Sequence, residues 1–91
     1  MPEVHFTIQL PDGTPRTCYS PSSVVLRHFR AGQELTVSEF VRESRLALTE
    51  ASDRVRQKFG FGCTAAAAQI QKIEQFTATQ PPEGIVRILT I

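Results

Sequence analysis

Apolar and polar residues alternate from the start of the chain. Val4, Phe6, Ile8 and Leu10 fall on one side, and Glu3, His5, Thr7 and Gln9 on the other. A period of two marks a half-buried β-strand. Pro11-Asp12-Gly13 then predicts a turn, because proline presets φ and glycine accepts positive φ. A second strand over about residues 14–19 returns as a hairpin, and Pro15, which has no N–H for a ladder, places that strand at a sheet edge. Ser20-Pro21 predicts a short helix, with Ser20 as N-cap, Pro21 in the first turn and Val24, Val25, Leu26 and Phe29 on its apolar side. Ala31-Gly32 closes it.

The period then lengthens. Thr36 and Glu39 have the spacing of a capping box, and Leu35 and Phe40 that of a hydrophobic staple. Val37, Phe40, Val41, Ser44, Leu48, Ala51, Val55 and Phe59 trace one helical stripe, which Gly60 stops. A third helix is predicted over 64–78 with Ala66, Ile70, Ile73 and Thr77 on one face, and its four successive alanines allow close helix approach. Gln80-Pro81-Pro82-Glu83-Gly84 breaks it, and residues 85–91 read as a last strand. In that strand Ile85, Leu89 and Ile91 point one way, Val86 and Ile88 the other. Apolar groups on both faces imply cover on both faces. In so small a chain the second cover is expected from another copy, which predicts a homodimer. The fold class expected is α+β in the order ββαααβ, a single domain over 1–91 whose small three-stranded sheet carries its helices on one face.

Composition narrows the classes. With 41% hydrophobic and 21% charged residues the chain reads as globular rather than disordered. A net charge of +1 argues against a dedicated nucleic-acid binder and a polybasic membrane anchor. No apolar run approaches the roughly 20 residues that span a bilayer. Met1-Pro2-Glu3-Val4-His5 lacks the basic and apolar segments of a signal peptide. A cytoplasmic protein is expected, with Cys18 and Cys63 reduced.

Candidate chemistry centres on these thiols. Cys63 follows Gly60-Phe61-Gly62 at the start of the third helix, where unpaired N–H groups and the positive dipole end favour a thiolate. It is the candidate for a reactive or ligand-contacting group; the plainer reading is a small buried residue under an interhelical turn. Cys18-Tyr19-Ser20-Pro21-Ser22 lies where a strand meets a helix, a junction suited to anions, although capping by Ser20 explains it equally well. The candidate binding set is therefore Cys18, Tyr19, Ser20, Ser22, Gly60, Phe61, Gly62 and Cys63. His5 and His28 do not stand at metal-ligand spacings with the cysteines, so no metal is expected. Phosphate loops, dinucleotide fingerprints and nucleophile elbows are missing, so no cofactor is expected either. Glu39 and Glu43 read as surface partners of nearby arginines. A helix, glycine turn and helix over about 37–78 superficially resembles a helix-turn-helix, but four alanines leave the first turn of its second helix blank for base reading.

Four motifs together carry a resemblance: Met1-Pro2-Glu3 with the strand and Pro11-Asp12-Gly13; Cys18-Tyr19-Ser20-Pro21-Ser22; the run from Phe40-Val41 through Ser44-Arg45 and Ala47-Leu48-Thr49-Glu50-Ala51-Ser52 to Arg54-Val55-Arg56; and Gly60-Phe61-Gly62-Cys63 before Ala66-Ala67-Ala68-Gln69. Over nearly its whole length the chain resembles the small bacterial nitrogen-starvation response proteins of mycobacteria, cyanobacteria and proteobacteria. Members are usually encoded beside a nitrilase, a radical S-adenosylmethionine enzyme, an acetyltransferase, a flavoprotein and a synthetase-like ATP-binding protein. The resemblance implies an accessory or binding role in a nitrogen-scavenging or nitrile-related pathway, with those enzymes as partners. It stresses Cys18, Tyr19, Ser20, Pro21 and residues 60–63 without assigning a catalytic role. A thiol-dependent enzyme using Cys63 and a transcriptional regulator are the alternatives.

Overall fold

The alternation at the start of the chain builds the strand it predicts. The computed structural model, which describes residues 3–60 and 64–91, has β1 over Val4–Gln9 and β2 over Pro15–Ser20. Leu10 N–H donates to the Thr14 carbonyl at 2.8 Å, closing the hairpin around Pro11-Asp12-Gly13. A 3-10 turn, Ser23–Arg27, follows, then β3 (Glu34–Thr36), α1 (Val37–Phe59), α2 (Thr64–Thr77) and β4 (Ile85–Thr90). The sheet is antiparallel in the order β2-β1-β4-β3, so the Pro15 strand lies at an edge as expected.

Three expectations need correction. The sheet has four strands among the described residues, not three, because Glu34-Leu35-Thr36 pairs with β4 through Glu34–Arg87, Leu35–Val86 and Thr36–Ile85. The first of the three expected helices is only the 3-10 turn. Its N-cap is Ser22, whose Oγ accepts from Val24 N–H at 3.3 Å, rather than Ser20. The stiff Val24-Val25 pair, both buried, suits a short tight turn better than a long helix. Ile91 does not point with Ile85 and Leu89 either. A bulge pairs Ile8 with Ile88 but Thr7 with Thr90, which inserts Leu89 as an extra residue and turns Ile91 back, half-buried, against the core.

The elements that matter most meet at the start of α1. Thr36 is the last residue of β3 and the N-cap of α1, its φ of −67° and ψ of 159° serving both. The capping box is complete: Glu39 N–H donates to Thr36 Oγ1 at 3.1 Å, and Thr36 N–H to Glu39 Oε1 at 2.9 Å. The two preceding helical N–H groups, of Val37 and Ser38, donate to the carbonyls of Gly84 and Pro82 at 2.8 and 3.1 Å. Gly84 has to be glycine for space, since a Cβ there would stand 2.7 Å from Pro11 Cγ.

Both helices cover one side of the sheet. Phe6, Ile8, Val86 and Ile88 from the central strands share one core cluster with Phe40, Ala47 and Leu48 of α1 and Ala66 and Ile73 of α2, all at or near complete burial. Phe29 joins Phe6 to Phe40, with ring centroids 5.7 and 5.6 Å away. At 23 residues α1 is about 34 Å long, whereas a six-residue strand spans about 20 Å, so its last turns overrun the sheet. Phe59 is therefore 55% exposed although it lies on the apolar stripe. Gly60 then ends the helix in the left-handed conformation, φ 85°.

Two substitutions probe this arrangement in urea. Thr36→Ala is expected to lower stability by about 1 kcal/mol through loss of the cap. Ser44 Oγ is sealed in the core with no hydrogen-bond partner among the described residues. Ser44→Ala is expected to raise stability, by up to about 1 kcal/mol, because it removes a buried unpaired hydroxyl.

Candidate functional site

The structure separates the expected binding set. Cys18 pairs with Phe6 across the hairpin on the helix-covered side, 1% exposed, and shares the core cluster with Ala66. Burial pushes its thiol pKa up to about 12, so it is a neutral core residue rather than a surface ligand. Ser20 and Ser22 are equally buried and use their hydroxyls locally: Ser20 Oγ donates to the Ser22 carbonyl at 2.8 Å, and Ser22 caps the 3-10 turn. Tyr19 faces the opposite side of the sheet, half-buried, its ring 5.5 Å from that of His5 on the neighbouring strand. Gly60 serves as the C-cap of α1. Phe61, Gly62 and Cys63 lie outside the described residues.

Two features escaped the sequence reading. The first is a clamp on His28, whose Nδ1 and Nε2 each stand 3.1 Å from a carboxylate of α1, Glu43 Oε2 and Glu50 Oε2 respectively. Arg27 adds an ion pair to Glu50 at 2.8 Å. The clamp ties the 3-10 segment to α1 and borders a shallow groove along that helix, where Leu46 is 54% exposed. The second is a cleft of about 600 Å³ between the β1–β2 hairpin and α2, lined by Arg16, Thr17, Gln69, Lys72 and Phe76 among others. Arg16 lies over the Phe76 ring, 5.8 Å from its centroid. At its rim Asp12 accepts from Thr14 N–H at 2.9 Å and from Gln80 Nε2 at 3.1 Å, and these bonds hold its carboxyl below the usual carboxylate range. Among the described residues no group of three His, Cys, Asp or Glu side chains is placed to hold a metal ion.

The helix-turn-helix reading is corrected by the packing. The residues after α2 return to the N-terminus of α1, and Arg45 of α1 pairs with Glu74 of α2, so the two helices form an antiparallel hairpin. A DNA-reading pair crosses at about 90–120° instead. Ala66, Gln69, Ile73 and Thr77 of α2 are buried. No helix among the described residues is long and apolar enough to cross a membrane.

The His28 clamp sets a pH dependence. Burial alone would lower the histidine pKa, but the hydrogen bonds and charges of Glu50 and Glu43 outweigh it and leave it above 6.5. Glu50 is held below its usual value, chiefly by the bond from His28. A raised histidine pKa stabilises the fold below the unfolded value, and that contribution is lost as pH rises through the folded one. The lowered Glu50 pKa acts in reverse, its contribution disappearing as pH falls. Thermal stability should therefore be highest between the ordinary glutamate and ordinary histidine values, and decline as pH rises from the latter through the raised histidine pKa. In His28→Gln the alkaline decline should disappear in a melting series across pH.

Comparison with known proteins gives one positive result and two negative ones. No curated protein and no solved structure matches the chain significantly. The family described as nitrogen starvation-induced protein NitG matches over residues 5–91, a span that runs from β1 through the end of β4 and bears out the resemblance seen in the motifs. The chain belongs to that nitrogen starvation-induced family.

Proposed function

We propose that the protein is a non-catalytic accessory protein of nitrogen-starvation metabolism that works as a homodimer, two copies pairing through the uncovered face of the sheet. One observation carries the reading. On that face Ile85 and Leu89 of β4 remain 47% and 39% exposed, while β1 presents only His5, Thr7 and Gln9 there. An apolar patch confined to the strand that also fills the core with Val86 and Ile88 fits a sheet built to be covered twice.

The charges on the face allow a second copy to approach. Arg87 and Glu34 are paired across β4 and β3 at 3.0 Å, so stacking buries no lone cation or anion from that pair. A standard interface takes about 800 Å² per partner, or about 15% of the 5204 Å² surface. Sheet-on-sheet packing supplies such a contact. The chemistry on hand supports the accessory character: the described thiol is buried and neutral, Ser20 Oγ donates to the Ser22 carbonyl, and Ser22 caps the 3-10 turn. The protein would then serve its pathway by docking or carrying, with the enzymes encoded around such proteins as partners.

Sedimentation of the intact chain should give a dimer. Leu89→Lys, at an exposed position, should yield a folded monomer with an unchanged circular dichroism spectrum. A monomer for the unsubstituted chain at every concentration would remove the sheet face from the proposal. Alkylation against pH tests the accessory character separately: a Cys63 thiol titrating near the ordinary value of about 8.5 is expected, and one far below it would favour the enzyme reading.

A further inference from the structure

The cleft between the hairpin and α2 lies on the helix-covered side of the sheet, away from the face proposed for pairing. Its volume of about 600 Å³ falls within the range of about 300–1,000 Å³ found for small-molecule sites. Two of its cations are unspent. Among the described residues neither Arg16 nor Lys72 has a carboxylate within ion-pair distance. Asp12 is engaged by Thr14 and Gln80, and Arg16 acts on it only as the weakest contribution to its pKa.

Arg16 owes its position to the register of the hairpin. It stands opposite Ile8 on the core side of β2, but at the sheet edge, so its guanidinium turns out into the cleft and rests on Phe76. Its fork of N–H groups meets no carboxylate among the described residues and is left for an anion. That arrangement matches a carboxylate accepting two parallel hydrogen bonds.

Gln69 supplies a second and independent observation. It is 7% exposed, lines the cleft, and its side chain makes no hydrogen bond to any described residue. Polar side chains buried this far are ordinarily partnered. Its amide is not sealed in hydrocarbon, for Ser44 Oγ is the one described side-chain atom both sealed and unpaired. The side chain of Gln69 is therefore open to a partner that enters through the cleft. A ligand amide can bond both its oxygen and its nitrogen at once.

We propose that this cleft binds a small organic carboxylate that also carries an amide, with Arg16 and Lys72 holding the carboxylate and Gln69 reading the amide. The proposal does not depend on dimerisation, because none of these residues lies on the face assigned to pairing.

Titration of the ¹⁵N-labelled intact chain followed by NMR tests it with four probes of one size class: succinamate, succinate, succinamide and inorganic phosphate. Succinamate should shift the backbone signals of Arg16, Thr17, Gln69 and Lys72. Succinate, a dianion in which a second carboxylate replaces the amide and leaves the Gln69 oxygen without a donor, should bind about tenfold more weakly, the equivalent of one hydrogen bond of the stronger kind. Succinamide and phosphate should leave those signals in place. Arg16→Gln changes an exposed edge residue, so it should keep the fold while weakening succinamate at least about tenfold, the loss expected for a charged hydrogen bond. Gln69→Leu should erase the preference for succinamate over succinate. The proposal is overturned by no response to succinamate, by a response to phosphate as strong as that to succinamate, by equal binding of succinamate and succinate, or by undiminished binding in Arg16→Gln.

Discussion

The N-terminus of α1 is the constraint on which the rest of the molecule depends. A helix begins with backbone N–H groups that have no partner within it. Here three of them are satisfied from three places: Val37 by Gly84, Ser38 by Pro82, and Glu39 by the side chain of Thr36. The donors and acceptors of this one helix end thus join β3, α1 and the loop before β4. Because Thr36 belongs to strand and helix at once, α1 leaves the sheet edge without an intervening loop and in a fixed direction. The helical hairpin must then bring residues 82–84 back to the same point, and β4 is threaded between β1 and β3 as a result. The close fit of Gly84 against Pro11 extends the same knot to the β1–β2 turn.

Much of this was legible in the residues. The alternation of Val4, Phe6, Ile8 and Leu10, the Pro11-Asp12-Gly13 turn, the edge position forced by Pro15, the capping box and the Gly60 stop all describe local physics, and each appears where the pattern put it. β3 was not legible, because three residues are too few to show a period and Leu35 reads equally well as half of a hydrophobic staple. Its strand character comes from a partner more than 50 residues away in the chain. The bulge at Leu89 was hidden for the same reason, since register belongs to a pair of strands rather than to one.

The site was less legible than the fold. A cysteine at a strand end carries no mark that tells a core position from a ligand, and the choice was made by its neighbour across the hairpin, Phe6, which places Cys18 inside. The Ser20-Pro21-Ser22 run was read as a cap or an anion site, and the cap was found one serine later than expected. Arg16 on an edge strand reads as an ordinary surface residue, and Gln69 stands out only as the end of the run Ala66-Ala67-Ala68-Gln69. What makes them notable is tertiary: the register that puts Arg16 on the core side, and the packing of α2 that buries Gln69 without a partner. His28 gained its two carboxylates in the same way, from a helix that starts nine residues later.

A chain of this size has one core layer, so its two sides face different demands. The helix side of the sheet is closed by α1 and α2, and the gap that remains opens where α2 meets the edge strand, because that strand has a neighbour on one side only. The other side carries no layer among the described residues. Residues on β1 there are polar, as water requires, whereas β4 keeps Ile85 and Leu89 in the same plane. Solvent alone gives no reason for neighbouring strands to differ so sharply, nor does the core, which these two side chains do not enter. A second surface laid over β4 does. The apolar side chains of β4 thus link the two proposals: Val86 and Ile88 hold the helices that shape the cleft, and Ile85 and Leu89 form the surface proposed for pairing.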